Sequence, residues 1–218
     1  MNVSVSRPTS GELCFAFHTD QTDAAVPLPE VWFRHDGVRL LGALRISLMA
    51  YLMARPFIGN SFTLSGPPLP AHLASRLQQD LVAHEFFIGP VTNIPEKILP
   101  DFQYDFLDVC TEDGHKMSLG GESSLTCRRS ELGYVLEARP VGEAPLLSIA
   151  TNVDLFTAFT EQPRLLSLVL IYLCAYDVLG IKCLRIWSVT DARWLSRVDL
   201  LLSEVGGSMY VEPARSIA

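Results

Sequence analysis

A chain of 218 residues that is 49% hydrophobic and only 19% charged is too apolar for a disordered tail and long enough to bury a sizeable core. Five irregularly spaced cysteines exclude a disulfide scaffold, and no repeat of a solenoid's length is visible. A net charge of −7, with Arg128-Arg129 the tightest basic cluster, excludes a nucleic-acid groove, which needs clustered Lys and Arg.

Alternation of Leu13, Phe15 and Phe17 with smaller residues predicts a strand over 12–18, and Val31-Trp32-Phe33-Arg34 a second. His35-Asp36-Gly37 reads as a turn. Apolar residues then recur at helical spacing over 38–54 until Arg55-Pro56, because the residue before proline disfavours the α region. A short strand is expected at 62–64 and a helix at 70–84. The proline-rich stretch 89–100 reads as a connection dividing an N-terminal α+β unit, 1–95, from a second unit, 101–218.

Beyond it, the apolar pattern of 102–109 predicts a strand with a slip or bulge, followed by a turn at Glu112-Asp113-Gly114. Strands are expected at 134–136 and 146–150. The segment 164–179 is apolar nearly all round, which marks a buried helix, stopped by Gly180. A strand at 181–189, a helix at 192–205 capped by Thr190 or Asp191 and closed by Gly206-Gly207, and a strand at 209–211 complete the series. Helix–Gly–strand–helix–Gly–strand is the rhythm of an α/β protein, here a mixed sheet flanked by helices.

The apolar stretches 40–54 and 165–176 are too short, or too interrupted by Arg45, for the ~20 residues of a membrane span. The N-terminus lacks the charged-then-apolar order of a signal peptide, and unpaired cysteines suit a reducing compartment, so a cytoplasmic location is expected. Cys174 and Cys183, among Leu, Ile and Val, read as core residues, and Trp187 and Trp194 as core or interface anchors. The five histidines never fall at H-x-x-x-H, and the common nucleotide-binding and hydrolase signatures are missing, so no catalytic residue is assigned.

One loop combines a glycine pair with hydroxyls: Gly120-Gly121-Glu122-Ser123-Ser124. Glycines let consecutive backbone N–H groups curl around an anion, and Ser123 and Ser124 add donors. A helix starting near Leu125 would aim its positive end at the same ligand. His115 stands nearby as a loop histidine. Gly120, Gly121, Ser123 and Ser124 are thus the candidate nucleotide-binding residues.

The run Leu119 to Ser124 resembles a degenerate form of the S-G-G-x-D-S loop of PP-loop ATP pyrophosphatases, including the 7-cyano-7-deazaguanine synthase-like branch. Strand 31–34 and helices 38–54 and 70–84 resemble an accessory domain seen before such loops. The resemblance implies binding of ATP with magnesium, or of another small anion, at that loop. The departures are specific: Leu119 replaces the family's first Ser and Ser123 its Asp, which implies binding without catalysis. The order of elements from 146 to 211 also resembles an acetyltransferase-like (GNAT) fold, whose acyl-CoA pyrophosphate would meet backbone amides at the helix start near Arg164. The usual R-x-x-G-x-G/A signature is absent there. A third expectation is a protein-interaction or homo-oligomerisation module, docking through the apolar helix 164–179.

Overall fold

Period-two alternation becomes strands almost everywhere it is expected, and these strands join into a single wide sheet. In a computed structural model the chain is described over residues 1–7, 11–37, 41–81, 87–89, 91–92, 102–109, 124–138, 146–187 and 192–212. The first part supplies β1 (Asn2–Ser6), β2 (Glu12–His18), β3 (Glu30–Arg34), α1 (Ala43–Ala54), β4 (Ser61–Ser65), β5 (Leu69–Pro70), α2 (Ala71–Asp80), β6 (Phe87–Gly89) and β7 (Val91–Thr92). The second supplies β8 (Tyr104–Val109), β9 (Ser124–Ser130), β10 (Gly133–Ala138), β11 (Leu147–Thr151), α3 (Val153–Thr157), α4 (Pro163–Leu179), β12 (Ile181–Trp187), α5 (Ala192–Ser203) and β13 (Ser208–Glu212).

Among the described residues the sheet has 11 strands in the order β13-β12-β8-β9-β10-β11-β3-β2-β1-β4-β6, and β5 pairs separately with β7. Its middle is antiparallel, while β13-β12-β8-β9 at one edge and β1-β4-β6 at the other are parallel. The mixed α/β architecture is therefore as expected. Strands from 1–95 and from 101–218 meet where β11 pairs with β3, Ala150 opposite Arg34 and Thr151 opposite Phe33. Side chains lengthen that short seam. Thr151 Oγ1 donates to the Trp32 carbonyl at 2.6 Å, and Asn152 Oδ1 accepts the Trp32 N–H at 2.9 Å. They complete the main-chain pairing that the ladder leaves open.

Register assigns the two faces, because directly paired residues point to the same side. Phe62, Val3, Phe17, Phe33, Ile149, Leu136, Leu125, Leu107 and Leu184 share one face and are all buried. The helices pack there: Phe156 of α3 stacks on Phe17 at 4.9 Å, and Tyr51 of α1 meets Phe62 edge-on at 5.6 Å. The other face is mostly polar, with Ser4, Glu12, Arg34, Ser148, Arg128, Thr126, Asp108 and Arg185. Phe106 stands on that polar side and Leu107 on the apolar side. Apolar residues on both sides therefore mimic a slip in the sequence, whereas β8 pairs with β9 without a break from Phe106 to Val109.

α4 is the pillar of the core, with every residue from Val169 to Tyr176 buried. That stretch of its apolar surface is covered by the chain's own sheet and helices. Gly180 ends it in the left-handed conformation, φ 60°, and its N–H returns to the Tyr176 carbonyl at 3.0 Å. The first helix starts at Ala43 rather than at residue 38, because Gly42 is extended and its N–H is taken by Asp177 Oδ2 of α4 at 2.7 Å. Residues 38–40 lie outside the described residues. Within the expected connection 89–100, β7 finds a parallel partner in β5, a pairing that no local period reveals. No helix among the described residues is long and apolar enough to cross a membrane.

Gly133 closes the two-residue hairpin between β9 and β10 at φ +152°. A Cβ there would run into the Ile149 carbonyl oxygen of β11. Gly133→Ala is expected to cost about 1–3 kcal/mol from backbone strain, with the forced separation of β10 and β11 added. A lowered urea midpoint checks it.

Candidate functional site

Of the four residues proposed to hold a nucleotide, Gly120, Gly121 and Ser123 lie outside the described residues, as do His115 and the turn at 112–114. Ser124 opens β9, buried and opposite Phe106 of β8. Leu125 does not begin a helix; it is a fully buried residue of β9. The alternation of Leu125 and Cys127 with Ser124 and Thr126 suits a strand between a core and a polar face, so no helix dipole reaches the loop from this side.

The polar face carries a buried fork. Arg185 Nε donates to Asp108 Oδ1 at 2.6 Å and Arg185 Nη2 to Asp108 Oδ2 at 3.0 Å, with both residues 2% exposed. The guanidinium lies 4.2 Å over the Phe106 ring. Beside them Arg128 Nη2 donates to Glu137 Oε1 at 2.9 Å. Each charge has an opposite charge in bonding reach, so these residues tie β8, β12, β9 and β10 together. Three of the described thiols are unsuited to nucleophilic work: burial, then Glu30, pushes Cys14 up to about 12, and burial raises Cys174 and Cys183 as well. Among the described residues no His, Cys, Asp and Glu side chains gather to hold a metal ion.

A concave site among the described residues is on the helical side. A cleft of about 330 Å³ opens between the end of α1 and the residues just after it (Leu52, Arg55, Pro56), the chain entering α4 with its first turn (Phe159, Thr160, Glu161, Leu166) and α5 (Trp194, Arg197, Val198). Pro56 ends α1 and leaves Arg55 at its last turn, one turn after Tyr51 on the same side. Asp80, the last residue of α2, gathers these groups. Its Oδ2 accepts the Tyr51 hydroxyl at 2.6 Å and Arg55 Nε at 2.7 Å, while Arg197 Nε stands 3.5 Å from Oδ1. That last approach is ionic only, since Arg197 Nε has no hydrogen-bond partner.

One carboxylate, itself 5% exposed, therefore faces two guanidiniums that line the cleft. Burial opposes the Arg55 charge, but the hydrogen bond and attraction of Asp80, aided by Tyr51 and Glu161, outweigh it and raise its pKa. Burial, followed by the Asp80 charge, raises that of Tyr51, so the phenol stays a donor. α4 opens at the cleft with Pro163 at its first position, a helix start that bears partial positive charge. Trp194 is a buried wall, as expected, whereas the ring of Phe159 is 74% exposed at the rim.

The chain matches no family model, no curated protein and no solved structure. Sequence reasoning placed an anion at the helix start near Arg164, through the acetyltransferase-like resemblance, but did not single out Asp80, Tyr51 or Arg197. The usable signals were the tyrosine and arginine one turn apart at a proline-terminated helix end, and an arginine on the inner side of 192–205.

Proposed function

We propose that the protein binds a small anionic molecule in the cleft between α1, α4 and α5. The observation that carries this reading is the convergence of Arg55 and Arg197 on the single carboxylate of Asp80. Beside them stands the positive end of a long helix, and arginine is the side chain best suited to grip carboxylate and phosphate oxygens. The cleft volume lies at the lower end of small-molecule pockets, so the ligand is compact. An adenine nucleotide, expected from the Gly120–Ser124 loop, belongs to the same broad class and enters the same test.

Thermal unfolding in the presence of inorganic phosphate, AMP, ATP with magnesium and acetyl-CoA decides the matter. A ligand at 100 times its dissociation constant stabilises the folded state by about 2.7 kcal/mol. A shift removed by Arg197→Gln and kept by Gly121→Val assigns the ligand to the cleft. The opposite pattern assigns it to the glycine loop, and stabilisation insensitive to Arg197→Gln defeats the cleft reading.

A further inference from the structure

Building on the anion cleft, we propose that its ligand is an amphipathic monocarboxylate, a single carboxylate on an aliphatic or aromatic body, held by Arg197. The two guanidiniums are balanced by Asp80 and Glu161, so the loose pairing of Arg197 leaves room for one negative group at most. Arg55 is committed to Asp80 by a 2.7 Å hydrogen bond, whereas Arg197 keeps only the looser 3.5 Å ionic approach and can turn toward a ligand. Asp80, bonded to the cleft's arginines, and Glu161 in its lining repel any further negative charge, and the chain's net charge of −7 opposes a polyanion at longer range. A carboxylate meets a guanidinium edge in the planar two-bond geometry that arginine favours.

The walls select the rest of the ligand. Leu52, Pro56, Trp194 and Val198 line the cleft, and Phe159 projects over its rim with most of its ring in water. An apolar body seated there removes both its own surface and that ring from solvent, which a compact hydrophilic anion does not.

The test is calorimetric titration of the full chain with unbranched carboxylates from acetate to octanoate and with benzoate, beside inorganic phosphate and ATP. Affinity is expected to rise about fourfold per added methylene until the cleft is filled. Arg197→Gln should weaken octanoate by about tenfold or more, the worth of a charge-assisted hydrogen bond, while leaving the melting temperature without ligand near that of the parent. Phe159→Ala should flatten the chain-length dependence and leave acetate unchanged. Phosphate or ATP binding that depends on Arg197, with carboxylates inert, overturns the monocarboxylate class and keeps the anion cleft. Carboxylate binding without a chain-length trend overturns the amphipathic body. If no anion binds in an Arg197-dependent way, this proposal and the cleft reading fall together.

Discussion

Asp177→Asn is expected to lower the unfolding free energy by about 3–5 kcal/mol, the cost of leaving a buried charge without its partner. Arg45 sits on α1 at 1% exposure, and its Nη1 lies 3.7 Å from Asp177 Oδ1 on α4. The guanidinium also rests 4.5 Å over the Tyr176 ring, yet its Nε has no hydrogen-bond acceptor. A cation so sparsely bonded depends on the nearby carboxylate for its place in the core. Asparagine keeps an oxygen able to accept the Gly42 N–H that Asp177 now holds, so the substitution isolates the charge from the helix-start hydrogen bond.

Arg45→Met alone should be costly too, because it removes the cation that stands 3.7 Å from the Asp177 carboxylate. The double variant Arg45→Met, Asp177→Asn is expected to recover part of the loss, since neither member of the pair is then charged and methionine fills much of the space. Urea unfolding of the four proteins measures this coupling. Additive losses would mean that the two groups do not depend on each other.

Where a structural element depends on near neighbours, it was legible. In β2, Leu-Cys-Phe-Ala-Phe alternates as a half-buried strand must, and the uniformly apolar run ending at Gly180 could only be a buried helix. β1 has the same alternation, Val3 and Val5 between polar residues, but two apolar positions are too few to stand out. α3 spans five residues and has no side-chain cap, so no period could form. The late start of α1 depends on Asp177, which lies far along the chain, and local spacing cannot show it. The same holds for the cleft. Asp80, Tyr51, Arg55 and Arg197 come from three helices, and only Tyr51 and Arg55 are close enough in sequence to suggest a shared face. The fork of Asp108 and Arg185 joins two parallel strands that become neighbours only through a long crossover. Patterning thus reveals layers, while sites built by crossovers need the assembled sheet.

Acidification supplies the second large effect, through His35. The ring follows β3 in the turn with Asp36 and Gly37, is 4% exposed, and neither nitrogen has a hydrogen-bond partner. Burial lowers its pKa from the usual 6.5 to about 4, against a smaller opposing pull from the Asp36 charge. The unfolded chain therefore takes up a proton near pH 6.5 that the folded chain refuses until about pH 4, and stability falls as pH drops through that window. At about 1.4 kcal/mol per pH unit the loss from this group reaches roughly 3 kcal/mol by pH 4 and does not grow below it. His35→Leu should remove that part of the slope. At pH 7.5 it should be close to neutral or mildly stabilising, because leucine lacks the two unpaired nitrogens and the His35 backbone N–H to the Gly11 carbonyl, 2.9 Å, is retained. Urea unfolding of both proteins at half-unit steps from pH 7.5 to 4 measures the difference, and an unchanged slope in the variant would show that the ring titrates as it does in water.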